Sequence, residues 1–202
     1  NRKETILGLD ETCTGVFYVV SGLFRIFTIK DGNEGIAGVL IKHKTGLNSI
    51  DSDGKSPLHY AFINSNFALA YQLIEAGADV NQQVEGYEPF LHRAVSNKNM
   101  VMVHKLLQNG AEVDIINEYE KTALAIAIND KEYELAKLLL KYDISISCED
   151  LFRAIYLEHF SMVKLLVENN VDLSCKKDKL IPVAYAKKHN ISYHIEQYLK
   201  GK

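Results

Sequence analysis

The feature that most constrains this chain is a repeat: strides of 33 residues return to the same residue types. From Ser56-Pro57-Leu58-His59-Tyr60-Ala61, one stride carries Leu58 to Leu91, His59 to His92 and Ala61 to Ala94; a second reaches Leu124 and Ala127. Leu73-Ile74 falls on Leu106-Leu107 and then Leu139-Leu140. Gly77-Ala78-Asp79-Val80-Asn81 falls on Gly110-Ala111-Glu112-Val113-Asp114. In the other direction, Leu40-Ile41, Asn48 and Asn33 match Leu73-Ile74, Asn81 and Asn66. One unit of this size cannot bury its apolar face alone, so units of this kind must stack.

Local rules give each unit two helices. Ser56 is placed to cap a helix with Pro57 in its first turn, where a missing N–H costs nothing. That helix ends near the polar pair Asn64-Ser65. A second runs from about Asn66 to Ala76, with Leu69, Ala70, Leu73 and Ile74 on one face. Gly77 suits the left-handed residue that closes it. Asp51, Ser52, Asp53 and Gly54 supply turn chemistry to the connector.

A 33-residue helix–turn–helix unit carrying Ser-Pro-Leu-His-Tyr-Ala and Gly-Ala-Asp-Val-Asn resembles the ankyrin repeat, whose pattern is T-P-L-H-x-A at this period. The resemblance implies an all-α repeat fold, an ankyrin-repeat solenoid of stacked helix–turn–helix units with short β-hairpin fingers. The units fall at about 16–48, 49–81, 82–114, 115–147, 148–174 and 175–202, one domain over 16–202. Residues 1–15 are expected to be a leader or the end of a preceding segment. Because the first residue is Asn1 and not Met, the chain is expected to be trimmed or cut from a longer protein.

The motif drifts along the chain. Glu88-Pro89-Phe90-Leu91-His92 shifts the proline by one place, and Lys121-Thr122-Ala123-Leu124-Ala125 lacks both Pro and His. From Ala127 to its counterpart Ala154 the stride is 27 rather than 33. The six missing residues lie where an ankyrin finger projects, so that finger is expected to be short or absent. The last unit keeps a trace of the motif in Ile181-Pro182-Val183-Ala184-Tyr185-Ala186 and ends polar over 196–202, as a solvent-facing cap requires.

Composition excludes several functions. At 47% hydrophobic the chain is too apolar for disorder, and a net charge of −3 gives no general attraction to nucleic acid or anionic membrane. Three cysteines, Cys13, Cys148 and Cys175, with no Cys-x-x-Cys pair, form neither a disulfide scaffold nor a zinc site, which points to a reducing, cytoplasmic setting. The apolar run at 15–29 is shorter than the roughly 20 residues a bilayer needs. It contains Arg25 and follows Asp10 and Glu11, so it reads as a buried helix or strand and not as an anchor. No phosphate-binding glycine loop occurs, and no cofactor, metal or catalytic residue is expected; the chain reads as not an enzyme.

The chemically suggestive residues have structural readings. His59 and His92 occupy equivalent places without the further ligands a metal needs. The family resemblance implies that such a histidine hydrogen-bonds within its turn and links neighbouring loops. Cys148 and Cys175 fall in connectors of unequal length, and the nearest base in sequence, His159, is placed to mark a turn between helices. Glu132 with Glu134, and Glu85 with Glu88, fall on turns or finger tips, where solvent is the default. Leu138-Leu139-Leu140 reads as core. Lys176-Lys177-Asp178-Lys179 and Lys187-Lys188 read as a solvated end, having no interleaved aromatic platform.

Function is then expected on the concave face and the finger tips. By family resemblance the partner-binding positions are Ser52, Asp53, Lys55, Ile63 and Asn64, then Glu85, Tyr87, Glu88, Ser96 and Asn97. The third full unit adds Glu118, Tyr119, Lys121, Asn129 and Asp130, and the fingerless one Tyr156 and Leu157. Tyr87 stands where a finger keeps its glycine, which removes the usual turn residue and supplies an aromatic anchor, with Tyr119 one place earlier in its own finger. Glu85, Glu88, Glu118, Glu120 and Asp130 make the face acidic, so the expected partner is a protein with a basic or mixed patch, bound by a monomer. Lysines outnumber arginines 19 to 4, with 18 isoleucines and 14 asparagines, a bias typical of AT-rich coding. Together with the loosely kept repeats it is similar to ankyrin proteins that intracellular bacteria or poxviruses deliver into host cytoplasm. The absence of a poxvirus-type F-box favours the bacterial kind. The alternative is a substrate-recognition domain of a larger enzyme whose catalytic domain lies outside this chain.

Overall fold

The computed structural model describes residues 46–202 and, ahead of them, two short strands. These are β1 (Val19–Val20) and β2 (Leu23–Phe24), antiparallel, with Val19 opposite Phe24 and Val20 opposite Leu23. The expected unit at 16–48, the leader at 1–15, the burial of 15–29 and Cys13 otherwise lie outside the described residues.

The rest is helical. Five helix pairs follow: α1 (Pro57–Ile63) with α2 (Phe67–Ala76), α3 (Phe90–Ser96) with α4 (Met100–Gln108), and α5 (Ala123–Asn129) with α6 (Tyr133–Leu139). Next come α7 (Cys148–Tyr156) with α8 (Phe160–Glu168), and α9 (Pro182–Lys188) with α10 (Tyr193–Lys200). No described helix is long and apolar enough to cross a membrane.

One turn joins both helices of every pair. The residues Ser65, Lys98, Lys131, Glu158 and Asn190 are left-handed, with φ from 51° to 58°. The N–H after each returns to an alanine carbonyl: Asn66 to Ala61, Asn99 to Ala94, Glu132 to Ala127, His159 to Ala154 and Ile191 to Ala186, at 2.8–3.1 Å. This is a Schellman closure, which satisfies carbonyls that the end of a helix would leave unpaired. The alanines are at most 1% exposed. The following residue often caps the second helix: Asn66 Oδ1 accepts the N–H of Leu69, Asn99 Oδ1 that of Met102, and His159 Nδ1 that of Met162.

The described residues form two compact bodies, one of those up to Phe90 with Gln108–Ala111, the other of Leu91–Leu107 with Glu112–Lys202. In the first, Leu58, Phe62, Leu73 and Ile74 are buried. The Phe62 ring lies 5.8 Å from Phe67, nearly edge-on, and 4.8 Å from Phe90. In the second body α5 packs on α7 and α7 on α9, while α6 packs on α8 and α8 on α10. Leu124, Leu135, Leu139, Leu151, Ile155 and Leu166 fill the space between them. Within the run 138–140 only Leu139 is buried; Leu138 and Leu140 are half-exposed, because a helix turns three consecutive residues to different sides.

The shortened junction is plain in the helix bounds. Residues 140–147 connect α6 to α7, against 77–89, 109–122 and 169–181 at the other junctions. Cys148 is not in this connector, as its sequence position had suggested; it is the first residue of α7. Ser147 caps that helix reciprocally with Asp150, whose Oδ2 accepts from the Ser147 N–H at 2.9 Å and Oγ at 2.7 Å. Despite the missing finger, a rung between repeats survives: Asp114 accepts from Ser145 N and Oγ at 2.9 and 2.8 Å. One and two repeats earlier, Asn81 Nδ2 donates to the Gly110 carbonyl, and Asn48 accepts the N–H of Asp79.

Replacing Leu139 with Ala should cost about 2–5 kcal/mol, as expected for a buried leucine, and the same change at Leu140 about 1 kcal/mol or less. Urea unfolding of the two variants checks this; equal losses would remove Leu139 from its assigned place.

Candidate protein-binding surface

The fingers are small turns, built in three ways. In the first body, the finger before α1 is organised by Asp51. Its Oδ1 accepts the N–H groups of Asp53 at 2.9 Å and Lys55 at 3.0 Å, and its Oδ2 the Tyr60 hydroxyl at 2.5 Å. Burial pushes the Asp51 carboxyl up, but the bonds from Tyr60, Lys55 and Asp53 outweigh it and hold the group below its ordinary range. In the second body Asn117 repeats the device, its Oδ1 accepting from Tyr119 and Lys121 N–H, both at 3.0 Å. Positions 51, 84 and 117 are one period apart, and Val84 has no such acceptor.

At Val84 the turn changes. The Tyr87 N–H still donates to the Val84 carbonyl at 3.0 Å, but the left-handed residue is now Gly86, with φ 77°. Glycine at the third place of such a turn is what type II geometry requires. In the neighbouring fingers the left-handed residue comes one place later, as Gly54 at 77° and Glu120 at 56°. Tyr87 therefore displaces no needed glycine; the glycine has moved back by one residue. The last finger is a two-residue hairpin, with Lys177 and Leu180 exchanging hydrogen bonds around Asp178 and Lys179, both at positive φ.

The histidines are scaffold. His59 Nδ1 lies 3.2 Å from the Ser56 N–H and 2.8 Å from its Oγ, while the ring centre lies 4.5 Å from that of Phe90, the two rings tilted by 56°. Burial lowers its pKa to about 4, because the charged ring would lose its solvation; the Asp51 carboxylate opposes this and the Lys55 charge adds to it. His92 Nε2 bonds the Lys121 carbonyl at 2.9 Å, tying α3 to the finger before α5. Among the described residues no three His, Cys, Asp or Glu side chains converge as a metal would need.

The candidate recognition residues divide by exposure. Ser52, Asp53, Asn64, Glu85 and Tyr87 are exposed in the first body, while Lys55, Ile63 and Glu88 are half-buried. The structure gathers three of them: Lys55 Nζ lies 3.4 Å from Asp53 Oδ2 and 4.9 Å from the centre of the Tyr87 ring. Beside them an open groove enclosing about 800 Å³ runs between Ile50, Asp53, Gly54, Gln82, Gln83, Val84 and Glu85. In the second body Ser96, Asn97, Glu118, Tyr119, Asp130 and Tyr156 are exposed, while Lys121, Asn129 and Leu157 are half-buried. Asn97, Asp130 and Leu157 each directly follow the first helix of a pair.

Two features escaped the sequence reading. Glu132 is no free turn residue, since it meets Lys98 at 2.5 Å and so links two helix-joining turns. Glu134 lies within the first turn of α6. Ile50 and Ile116, two periods apart, are 48% and 58% exposed on fingers; isoleucine recurring in an otherwise polar connector was the available signal.

A family model described as ankyrin repeats, in three copies, matches residues 24–84 and 91–178. Among solved structures, an ankyrin repeat domain from Acinetobacter baumannii is 26% identical, covering 82% of this chain and 93% of that one, with a TM-score of 0.68. The ankyrin repeat domain of Bcl-3, a member of the IkappaB family, is 20% identical over 82% of this chain and 78% of its own, also at 0.68, a likeness of fold alone. No curated protein matches the sequence.

Unfolded His59 titrates near 6.5 and folded His59 near 4, so the unfolded chain holds the extra proton between those values. The resulting stability is complete above pH 6.5 and is lost as pH falls to 4, by up to about 3 kcal/mol. Urea midpoints measured across this window should fall less steeply in His59→Gln than in wild type; parallel curves would clear His59. Glu120→Gly should raise stability by about 1 kcal/mol by relieving a left-handed non-glycine residue, read as a higher urea midpoint.

Proposed function

The chain belongs to the ankyrin-repeat family, and from that premise we propose that it is a non-catalytic module binding another protein through its finger tips and the ends of its first helices. Ankyrin repeats are in general protein–protein interaction modules, and their fold is typically a non-catalytic scaffold. The observation that carries the proposal is a division of labour. Asp51, His59, His92 and Asn117 hold the turns, whereas Tyr87, Tyr119 and Tyr156 are 39%, 71% and 58% exposed and can be replaced without breaking the core. Large exposed tyrosines suit a binding surface, because they bury much area while losing few rotamers.

The exposed carboxylates Glu85, Glu118, Glu120 and Asp130, with half-buried Glu88, favour a partner with a basic or mixed patch. Such charges act mainly on association rate, so binding should weaken as salt rises. The reading of a protein delivered into a host cell, supported by composition and family resemblance, sets the material for the search: host-cell lysate.

Proteins captured by the wild-type chain are identified by mass spectrometry and titrated against it and against a Tyr87→Ala/Tyr119→Ala variant of unchanged helical content. The double replacement should weaken binding at least tenfold. Unchanged affinity would overturn the assignment of these fingers.

A further inference from the structure

The open groove between two successive fingers of the first body carries a mixed chemistry that the tyrosines beside it do not explain. Where the fingers meet, Gly54 has no side chain, and a Cβ there would lie 3.9 Å from both Val84 methyl carbons. Ile50 lines the same groove and is 48% exposed, an aliphatic side chain left in water. The other walls are the carboxylates Asp53 and Glu85 and the amides Gln82 and Gln83; among the described residues no lysine or arginine lines the groove. The Lys55 ammonium is engaged by Asp53 at 3.4 Å and by the Tyr87 ring at 4.9 Å, whereas exposed Glu85 has no ionic partner among the described residues. Gln82 adds an acceptor. Its Oε1 is buried without a donor, and its Nε2 reaches the Asn48 carbonyl only at 3.4 Å, a long bond that holds the amide weakly.

Building on the reading of this chain as a protein-binding module, we infer that the groove takes an extended segment of the partner, carrying Lys or Arg at one position and Ile, Leu or Val two residues away. In an extended chain alternate side chains share a face, so both enter the groove together. The aliphatic side chain covers Ile50 and Val84 and removes their surface from water. The cation meets Glu85 and Asp53 in a groove that holds no cation of its own among the described residues. A backbone N–H of the segment draws the Gln82 amide round and supplies the donor its Oε1 lacks. An aliphatic segment without the cation would strip water from two carboxylates without replacing it. The same carboxylates repel the phosphates of nucleic acid. Ile50 and Glu85 are therefore the residues that set specificity, one by apolar contact and the other by charge.

The probe is a random heptapeptide library displayed on phage and selected against the full chain at low salt. Peptides with the stated cation and aliphatic pair should be enriched. The best of them, made synthetically, should bind Ile50→Ser and Glu85→Lys each at least about tenfold more weakly than wild type. Exchanging the cation of the peptide for Glu should restore binding to Glu85→Lys, a gain that an unfolded variant could not give. Val101→Ser, at a site 69% exposed on α4, is the matched control and should leave affinity unchanged. No enrichment, enrichment of acidic peptides, or affinity indifferent to both finger substitutions would overturn the inference. The two readings fail separately. A protein captured from lysate that loses binding in Tyr87→Ala/Tyr119→Ala but ignores Ile50→Ser and Glu85→Lys removes the groove and leaves the wider module standing; binding that ignores all four substitutions overturns both.

Discussion

Helices of seven to ten residues do not hold together alone in water, because the cost of nucleating them exceeds what so few hydrogen bonds return. They persist here only by burying one face against a neighbour. In the second body this produces two rows, α5–α7–α9 and α6–α8–α10, with fully buried aliphatic residues between successive members. Every other feature of that body is arranged around keeping those rows in register. The polar side chains that touch the scaffold do so at its turns, where backbone groups need partners, and not in its interior.

The recurring left-handed turn shows how strongly that register is imposed. An L-residue in this conformation costs about 1 kcal/mol or more, and glycine would avoid the cost. The chain instead uses Ser65, Lys98, Lys131, Glu158 and Asn190. Two hydrogen bonds and a buried alanine at each turn over-determine the geometry, so the side chain facing solvent is free to vary. The motif alanine has a matching physical reason: its carbonyl is the acceptor that closes the turn, and its side chain has no room to be larger.

How much of this was legible in the sequence depended on whether a residue acts through spacing or through contact. The helix pairs, the Gly77 cap and the lost finger were legible, since each follows from period, turn chemistry or a count of residues. The shift from Asp51 to Val84 was visible in the same register, but its effect was not: the change of turn type depends on which backbone N–H groups the carboxylate would have satisfied. The Lys98–Glu132 pair was illegible for a different reason. It joins residues 34 positions apart, close to one period but not on it, and only the offset between successive units brings them together. The exposure of Tyr87 and Tyr119 was legible, since both fall on finger tips and not on a helical stripe.

The eight-residue link between α6 and α7 has an evolutionary reading. Elsewhere the equivalent link is five or six residues longer, yet the helices on both sides keep their neighbours, and Ser147 with Asp150 caps α7. The missing residues come mostly from the projecting loop, with α6 ending two residues short of its counterpart α4 and α7 gaining two residues at its start. Loop length in such a chain is therefore inherited separately from the stack beneath it. Loops of other lengths should be transplantable at these junctions, and lineages can lose or lengthen a finger without first finding compensating changes in the buried rows.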